Sequence, residues 1–300
     1  MAPRWATTPI GSILPSAVEK WVRQLGQGVA PTARVRSIAG GKSLSASVVV
    51  RSVGVLAGIL DVAVRDGRIG TNPARGLSNL PHHDWTPRRR YLTHDQVFRL
   101  AAAAPDEVRQ TLILTLAYTG IRWGEAVALT AGDVDLARRR LRIYRTATEV
   151  EGRIHIGAPK SWQARSVPFP EFLAPRIAAR MADGKRDALI FPAASGGFLP
   201  RPDTAFRRPS WWNNALRDAG LDHLTPHALK HTAASLAVSA GANVKALQRM
   251  LGHKSAAMTL DTYAYLLEDD LTAVAERLNE HAIADVDPRL MLRLYEAPAS

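Results

Sequence analysis

The sequence predicts a protein of two domains, mainly α-helical, with a small antiparallel β-sheet confined to the second domain. Three observations carry this expectation. Apolar residues recur at three- and four-residue steps in the first third of the chain and again after residue 170, which is the helical period. Stretches between residues 141 and 169 alternate apolar and polar side chains, the two-residue period of strands. Residues 80–91 hold two prolines and three successive arginines without any apolar period, the composition of a linker.

Taken in order, the first helix runs from about Ser16 to Leu25, with Val18, Trp21, Val22 and Leu25 on one stripe. The second runs from about Ser45 to Arg65, with Val49, Val53, Leu56, Leu60 and Val64 on one side, and stops where Asp66-Gly67 offers a left-handed cap. Asn72-Pro73 breaks the chain again. Thr93-His94-Asp95-Gln96 is a capping-box pattern that opens the second domain. A buried helix over Thr111–Tyr118 leads to Thr119-Gly120, and strands are expected at Leu141–Tyr144, Arg153–Ile156 and Ser166–Phe169. Lys160 falls in the connection between the last two, in a turn that would project its ammonium past the sheet edge. Beyond residue 170 helices return, with Thr225-Pro226 as an N-cap and first-turn pair, Gly241 and Gly252 as stops, and a last helix from about Asp270 to His281. The boundaries that follow are 1–82 for a helical domain, 83–92 for the linker, 93–283 for the larger domain and 284–300 for a tail.

Composition bounds what such a protein does. A chain of 300 residues with 46% hydrophobic content can bury a real core, and two domains are the default at this size. The absence of cysteine excludes disulfides and thiolate zinc sites. No apolar run long enough to cross a bilayer is expected, and the first residues lack the apolar stretch of a secretion signal, so a cytoplasmic protein without membrane contacts is implied. Charge is uneven. Residues 1–90 carry 13 Lys+Arg against 4 Asp+Glu, residues 91–260 carry 23 against 14, and residues 261–300 carry 3 against 9. The positive charge thus lies where a polyanion is held, and Lys42, Arg51 and the linker's Arg88, Arg89 and Arg90 are the candidates for backbone phosphates. The acidic tail faces something else.

The second domain carries a set of residues suited to phosphoryl transfer. They are Thr119-Gly120-Ile121-Arg122 with Glu125, then Lys160, then His227-Ala-Leu-Lys230-His231, then Leu251-Gly252-His253, then Asp261-Thr262-Tyr263. Singly each is ordinary: Arg122 a solvated helix-start residue, Lys160 a turn lysine, His253 a helix-end residue, Tyr263 a core or interface aromatic. In this order they resemble the tyrosine recombinases of the phage integrase family, over roughly residues 10–283. The resemblance implies a core-binding domain and a catalytic domain that close on DNA as a clamp, with four protomers on two sites. It also implies a catalytic hexad matched by Arg122, Lys160, His227, Lys230, His253 and Tyr263.

The chemistry of these residue types agrees with that set. Cutting a phosphodiester without metal or cofactor needs an attacking oxygen, cations around the transition state and an acid for the leaving oxygen. Tyr263 is the candidate nucleophile, Arg122 and Lys230 the cations, His253 a further donor, His227 the group that moves the tyrosine proton and Lys160 the acid. Glu125 would orient Arg122, and His231 is a neighbour that supports the site.

Three departures matter. The second family arginine is Lys230, which keeps charge but loses the bidentate fork, so slower cleavage, a compensated site or a catalytically weakened DNA-binding module are the readings open here. Tyr265 is a rival nucleophile to Tyr263. The first helix starts too early to leave room for an arm-binding domain, which leaves two readings open, a naturally short form or a chain trimmed to its core-binding and catalytic parts. The apolar cluster of Leu290, Met291, Leu292, Leu294 and Tyr295 would dock on a neighbouring protomer or on its own domain. The partners implied are double-stranded DNA at attachment or core sites, a homotetramer and a directionality factor.

Overall fold

The computed structural model describes residues 2–30, 43–81, 91–158, 164–181, 184–205 and 208–263, with short helical pieces at 275–276, 278–280 and 283–284. Lys42, Arg88, Arg89, Arg90, Lys160, Tyr265 and the tail from residue 285 lie outside the described residues. By its internal contacts the chain divides into two compact units, Met1–Arg88 and Arg89–Ser300.

In the first unit, α1 (Ala2–Trp5), α2 (Pro15–Gln27) and α3 (Ala46–Arg65) enclose one core. Val18, Trp21, Val22 and Leu25 of α2 are buried against Val49, Val53, Leu56 and Leu60 of α3, the stripes that the spacing predicts. Trp5 meets Trp21 edge to face at 5.7 Å. Gly28, at φ 74, caps α2, and Gly67, at φ 68, turns the chain after α3. α3 corrects one expectation. Its 20 residues, at a mean hydropathy of 1.9, are long and apolar enough to cross a bilayer by length and composition. One side is core, while Val48, Val55, Ile59 and Val62 on the other are exposed, as is Arg51.

The second unit is built around α5 (Glu107–Thr119), packed between α4 (His94–Ala102) and α9 (Ala228–Ser239). α4 starts with the capping box expected: Gln96 N–H donates to Thr93 Oγ1 at 3.2 Å, and Thr93 N–H to Gln96 Oε1 at 2.9 Å. α5 is apolar on nearly every side because neighbours cover it all round, with Thr111 through Ala117 buried in sequence. The threonines in this run satisfy their hydroxyls on the preceding turn, Thr115 on Thr111 O at 2.8 Å and Thr119 on Thr115 O at 2.5 Å. Gly120 ends the helix at φ 65, and α6 (Trp123–Val127) follows at once.

The strands form two sheets rather than one. β1 (Val134–Asp135), β2 (Arg140–Ile143) and β5 (Arg165–Pro168) pair antiparallel in the order β1-β2-β5. β3 (Thr146–Val150) and β4 (Arg153–Gly157) pair as a separate hairpin. β3 escaped the sequence reading, since it buries one side chain, Ala147, and so lacks the alternation that reveals a strand. Its turn, Glu151-Gly152, has both residues at positive φ, 51 and 76, the combination a two-residue hairpin turn needs. Beyond lie α7 (Ala174–Ala179) and α8 (Trp211–Asp218), whose Trp212 is fully buried with its indole N–H on Leu224 O at 2.7 Å.

α9 begins two residues later than Thr225-Pro226 suggests. Ala228 and Leu229 donate back to Thr225 O and Pro226 O over three residues, a tight turn that makes His227 the N-cap. α10 (Val244–Leu251) ends on Gly252 at φ 63, and α11 (Ala256–Tyr263) closes the described core. The last helix expected, Asp270–His281, falls mostly outside the described residues.

Candidate active site

Arg122 reaches its place through the turn between α5 and α6. A Cβ on Gly120 would stand 2.5 Å from Leu251 Cδ2 and 3.3 Å from Ala233 Cβ, so only glycine lets α5, α9 and α10 meet there. Gly124 makes a similar approach, because a Cβ would stand 2.4 Å from Ala147 O of β3. Arg122 is the N-cap of α6. Its backbone N–H donates to Glu125 Oε2 at 2.8 Å and its Nη1 to Glu125 Oε1 at 3.0 Å, so Glu125 holds the arginine as the spacing suggests.

Glu125 has a second arginine that the sequence reading missed. Arg165, at the head of β5, donates Nη1 to Oε1 at 3.0 Å and Nη2 to Oε2 at 2.6 Å, a bidentate pair 40 residues apart in the chain. Its Nε also points to Met250 O at 3.4 Å, and Gly252 leaves room for it, since a Cβ there would stand 2.8 Å from Arg165 Cζ. The signal in the sequence was thin: an arginine leading a short alternating strand. Glu125 is 1% exposed. Burial opposes its ionisation, but hydrogen bonds and charge from Arg165, then from Arg122, hold its carboxyl below the ordinary value.

His227 caps α9, whose first turn carries Lys230 and His231. Lys230 is 5% exposed and donates Nζ to Leu251 O, the last carbonyl of α10, at 2.8 Å. A cation at a helix C-terminus is favoured by the dipole, so this contact ties α9 to α10. His227 meets His231 edge to face at 5.3 Å. His227 also lines a cleft of about 570 Å³ together with Arg122, Trp123, Thr146, Thr148 and Arg201.

Tyr263 ends α11 and is fully buried, packed with Ala234, Leu247 and Leu251. Its hydroxyl lies 2.8 Å from His231 Nδ1. The His253 ring stacks on the phenol at 6.1 Å and 5°, while its own Nδ1 engages Thr259 Oγ1 at 3.0 Å. Burial, then the charges of Lys230, Arg122, His231 and Arg165, push the His253 imidazole down to about 4, so it is neutral at physiological pH.

Of the residues singled out in the sequence, Arg122 and Glu125 meet directly, as do His231 and Tyr263. His227 and His253 pack on those two rings, and Lys230 and Arg122 bear electrostatically on His253. Lys160 is outside the described residues, and Arg51 belongs to the first unit. Among the described residues no three His, Asp or Glu side chains gather as a metal site.

Comparison with known proteins adds to this geometry. Residues 90–269 match the model of the phage integrase family. The chain is 28% identical over 260 residues to a prophage phiRv2 integrase of Mycobacterium tuberculosis, covering 85% of this chain and 64% of that protein, so it spans under two thirds of that relative's length. It is 30% identical over 234 residues to the tyrosine recombinase XerC of Mycobacterium bovis, covering 73% of this chain and 72% of the other. Among solved structures, the Tn1549 transposon integrase in complex with transposon right-end DNA superposes with a TM-score of 0.71 at 25% identity, over 92% of this chain and 89% of that one. A λ integrase dimer bound to a core site shares the fold, with a TM-score of 0.57 over 85% of this chain and 81% of that one.

Proposed function

Because this chain belongs to the phage integrase family, we propose that it is a site-specific DNA recombinase that cleaves and rejoins DNA through a 3′-phosphotyrosine intermediate, in the integration and excision of a mobile element. One observation carries the reading: the hydroxyl of a buried tyrosine meets an imidazole at 2.8 Å, beside a second imidazole on which Lys230 and Arg122 bear. Scattered over more than 140 residues of sequence, such groups converge when the reaction needs them together.

In this reading Tyr263, buried in the free protein, is brought to the duplex by a shift of α11; Oη then attacks the scissile phosphorus, the bond to the 5′ oxygen breaks, and a 3′-phosphotyrosine ester and a free 5′ hydroxyl result. Arg122 and Lys230 neutralise the non-bridging oxygens as charge develops, and Glu125 with Arg165 fixes Arg122 in place. His253, neutral, supplies a hydrogen bond without a competing charge. Lys160 protonates the leaving oxygen. The ester conserves the energy of the broken bond, so a 5′ hydroxyl from another strand rejoins the DNA without ATP, metal or cofactor.

The partners proposed are duplex DNA at attachment or core sites, three further copies of the chain in a tetramer across two sites, and a directionality factor, in the bacterial cytoplasm and nucleoid. Residues 1–82 serve as the core-binding domain, 93–283 as the catalytic domain and 83–92 as the linker between them. Arg51, Lys42 and Arg88 to Arg90 hold backbone phosphates. Likeness to the prophage integrase, the XerC recombinase and the DNA-bound transposon integrase supports the recombinase reading.

The test is incubation with a pool of nicked duplexes of randomised sequence, in which the released fragment diffuses away and traps the ester. A denaturing gel reads covalent DNA, sequencing gives the preferred site, and mass spectrometry locates the linked residue. DNA linked to Tyr263 is expected. No covalent product, or a link to Tyr265, would overturn the reading.

A further inference from the structure

The proposed chemistry leaves open which group receives the phenol proton. The His253 ring lies parallel to that of Tyr263 with centroids 6.1 Å apart, and its Nδ1 is engaged by Thr259 Oγ1 at 3.0 Å. His231 meets the hydroxyl itself, Nδ1 to Oη at 2.8 Å, with the two rings tilted by 56° at 5.8 Å. An ordinary phenol titrates near about 10 and an ordinary imidazole near about 6.5. With the ring as the Nε2–H tautomer, Nδ1 accepts the hydrogen bond that the phenol donates, the arrangement that the transfer needs.

We infer that His231 is a catalytic residue, the base that takes the Tyr263 proton during attack; the inference rests on Tyr263 being the nucleophile. In the step the Oη–H bond breaks and Nδ1–H forms, while Oη–P forms and P–O5′ breaks. The leaving oxygen takes its proton from the general acid for which Lys160 is proposed. On rejoining, His231 returns its proton to the phenolate. Transfer converts a neutral pair into phenolate and imidazolium, and the phenolate then passes its charge to the phosphorane, so His231 need not stay charged in isolation.

The groups around the pair are His227 and Lys230 on α9, His253 after α10, and Arg122 and Arg165, which with Lys230 and His231 bear on His253. Glu125 balances part of that charge through its two arginines. This cationic surround favours the phenolate and opposes the imidazolium, an opposition that Glu125 offsets in part. The sequence pattern gives the proton to His227. The geometry sets His227 edge-on to His231 and on the wall of the cleft, while the contact with the phenol hydroxyl is made by His231.

The test uses the duplex recovered from the randomised pool in two forms, one with the normal 5′ oxygen and one with sulfur at that bridging position, which needs no acid to leave. Single-turnover rates of covalent complex formation are measured between pH 6 and 9 for wild type, His231→Gln, Lys160→Ala and Tyr263→Phe. His231→Gln keeps an acceptor for the phenol but cannot hold its proton. It is expected to lose about 100-fold at pH 7, with a rate that climbs across the pH range where wild type levels off. Sulfur should restore Lys160→Ala and leave His231→Gln slow. A His231→Gln rate within about threefold of wild type, or its rescue by sulfur, would overturn the proposal. Should His231→Gln fail to fold by thermal melting, nitrogen NMR of the intact wild type decides: Nδ1 unprotonated at pH 7 and shifted in Tyr263→Phe supports it, and a protonated Nδ1 sinks it. Covalent DNA surviving in Tyr263→Phe would instead remove the nucleophile itself, an outcome distinct from any seen with His231 variants.

Discussion

At the scale of single residues, the site is a buried electrostatic balance with Glu125 at its centre. Its carboxylate carries two guanidinium groups at 2.6–3.0 Å while 1% exposed. Glu125→Gln leaves both arginines short of a counter-charge and is expected to cost about 3–5 kcal/mol in urea unfolding at pH 7. Because the folded carboxyl titrates below its unfolded value, its contribution is complete above the unfolded pKa and is lost as pH falls through the folded one. The gap between wild type and Glu125→Gln should therefore narrow only under acid conditions; a gap constant down to acid pH would contradict the assignment. His253 has the opposite proton economy. Its imidazole is held at about 4 against 6.5 unfolded, so the folded state resists a proton that the unfolded chain accepts. Stability is fully present above 6.5 and declines from there toward 4, a decline that His253→Asn should flatten in melting curves. Lys230 keeps the charge of the family's arginine but already spends one donor on Leu251 O at 2.8 Å. Lys230→Arg, with a fork for two parallel bonds, is expected to speed covalent complex formation about tenfold, the effect of one added charge-assisted bond. A rate unchanged or lowered would mean that this site has been rebuilt around an ammonium.

At the scale of elements, the site depends on where helices are made to stop. Gly120→Ala would combine a left-handed backbone with a Cβ 2.5 Å from Leu251, and about 2–4 kcal/mol of destabilisation is expected from strain and overpacking together. Gly67→Ala, also at positive φ but with open space around it, should cost only about 1 kcal/mol; equal losses for the two would show that close approach at Gly120 contributes nothing. These stops also explain how much was legible in the sequence. α2, α3, α4 and the glycine after α10 announce themselves, because an amphipathic stripe, a capping box and a left-handed glycine each act within a few residues. β3 was hidden since a half-exposed hairpin has no burial period, and α9 starts late because a tight turn replaces the expected first turn of helix. Arg165 was hidden for a different reason. Its meaning comes from Glu125 on α6, forty residues away, and the pair exists only in the folded domain. The bond between His231 and Tyr263, 32 residues apart, is of the same kind.

At the scale of the whole molecule, the proposed function makes charge the first thing a duplex would meet, before any base is read. The first 90 residues and residues 91–260 each carry an excess of nine cations, whereas residues 261–300 carry 9 acidic against 3 basic side chains. A protein that neutralises phosphates with these cations releases the counterions condensed on DNA, so its affinity falls as a power of salt concentration, with an exponent of about 0.9 per phosphate. If six or more phosphates are engaged, affinity for a duplex of arbitrary sequence should fall by about 1000-fold between about 50 and 200 mM salt. The acidic segment opposes this attraction over distances that salt screens within about 10 Å at 0.1 M. Replacing Glu268, Asp269 and Asp270 by their amides should therefore raise non-specific affinity at low salt and have no effect at high salt. Fluorescence anisotropy with a labelled duplex reads both. A salt exponent below about 2 would mean that fewer than three phosphates are held, too few for basic surface on both units to be in use.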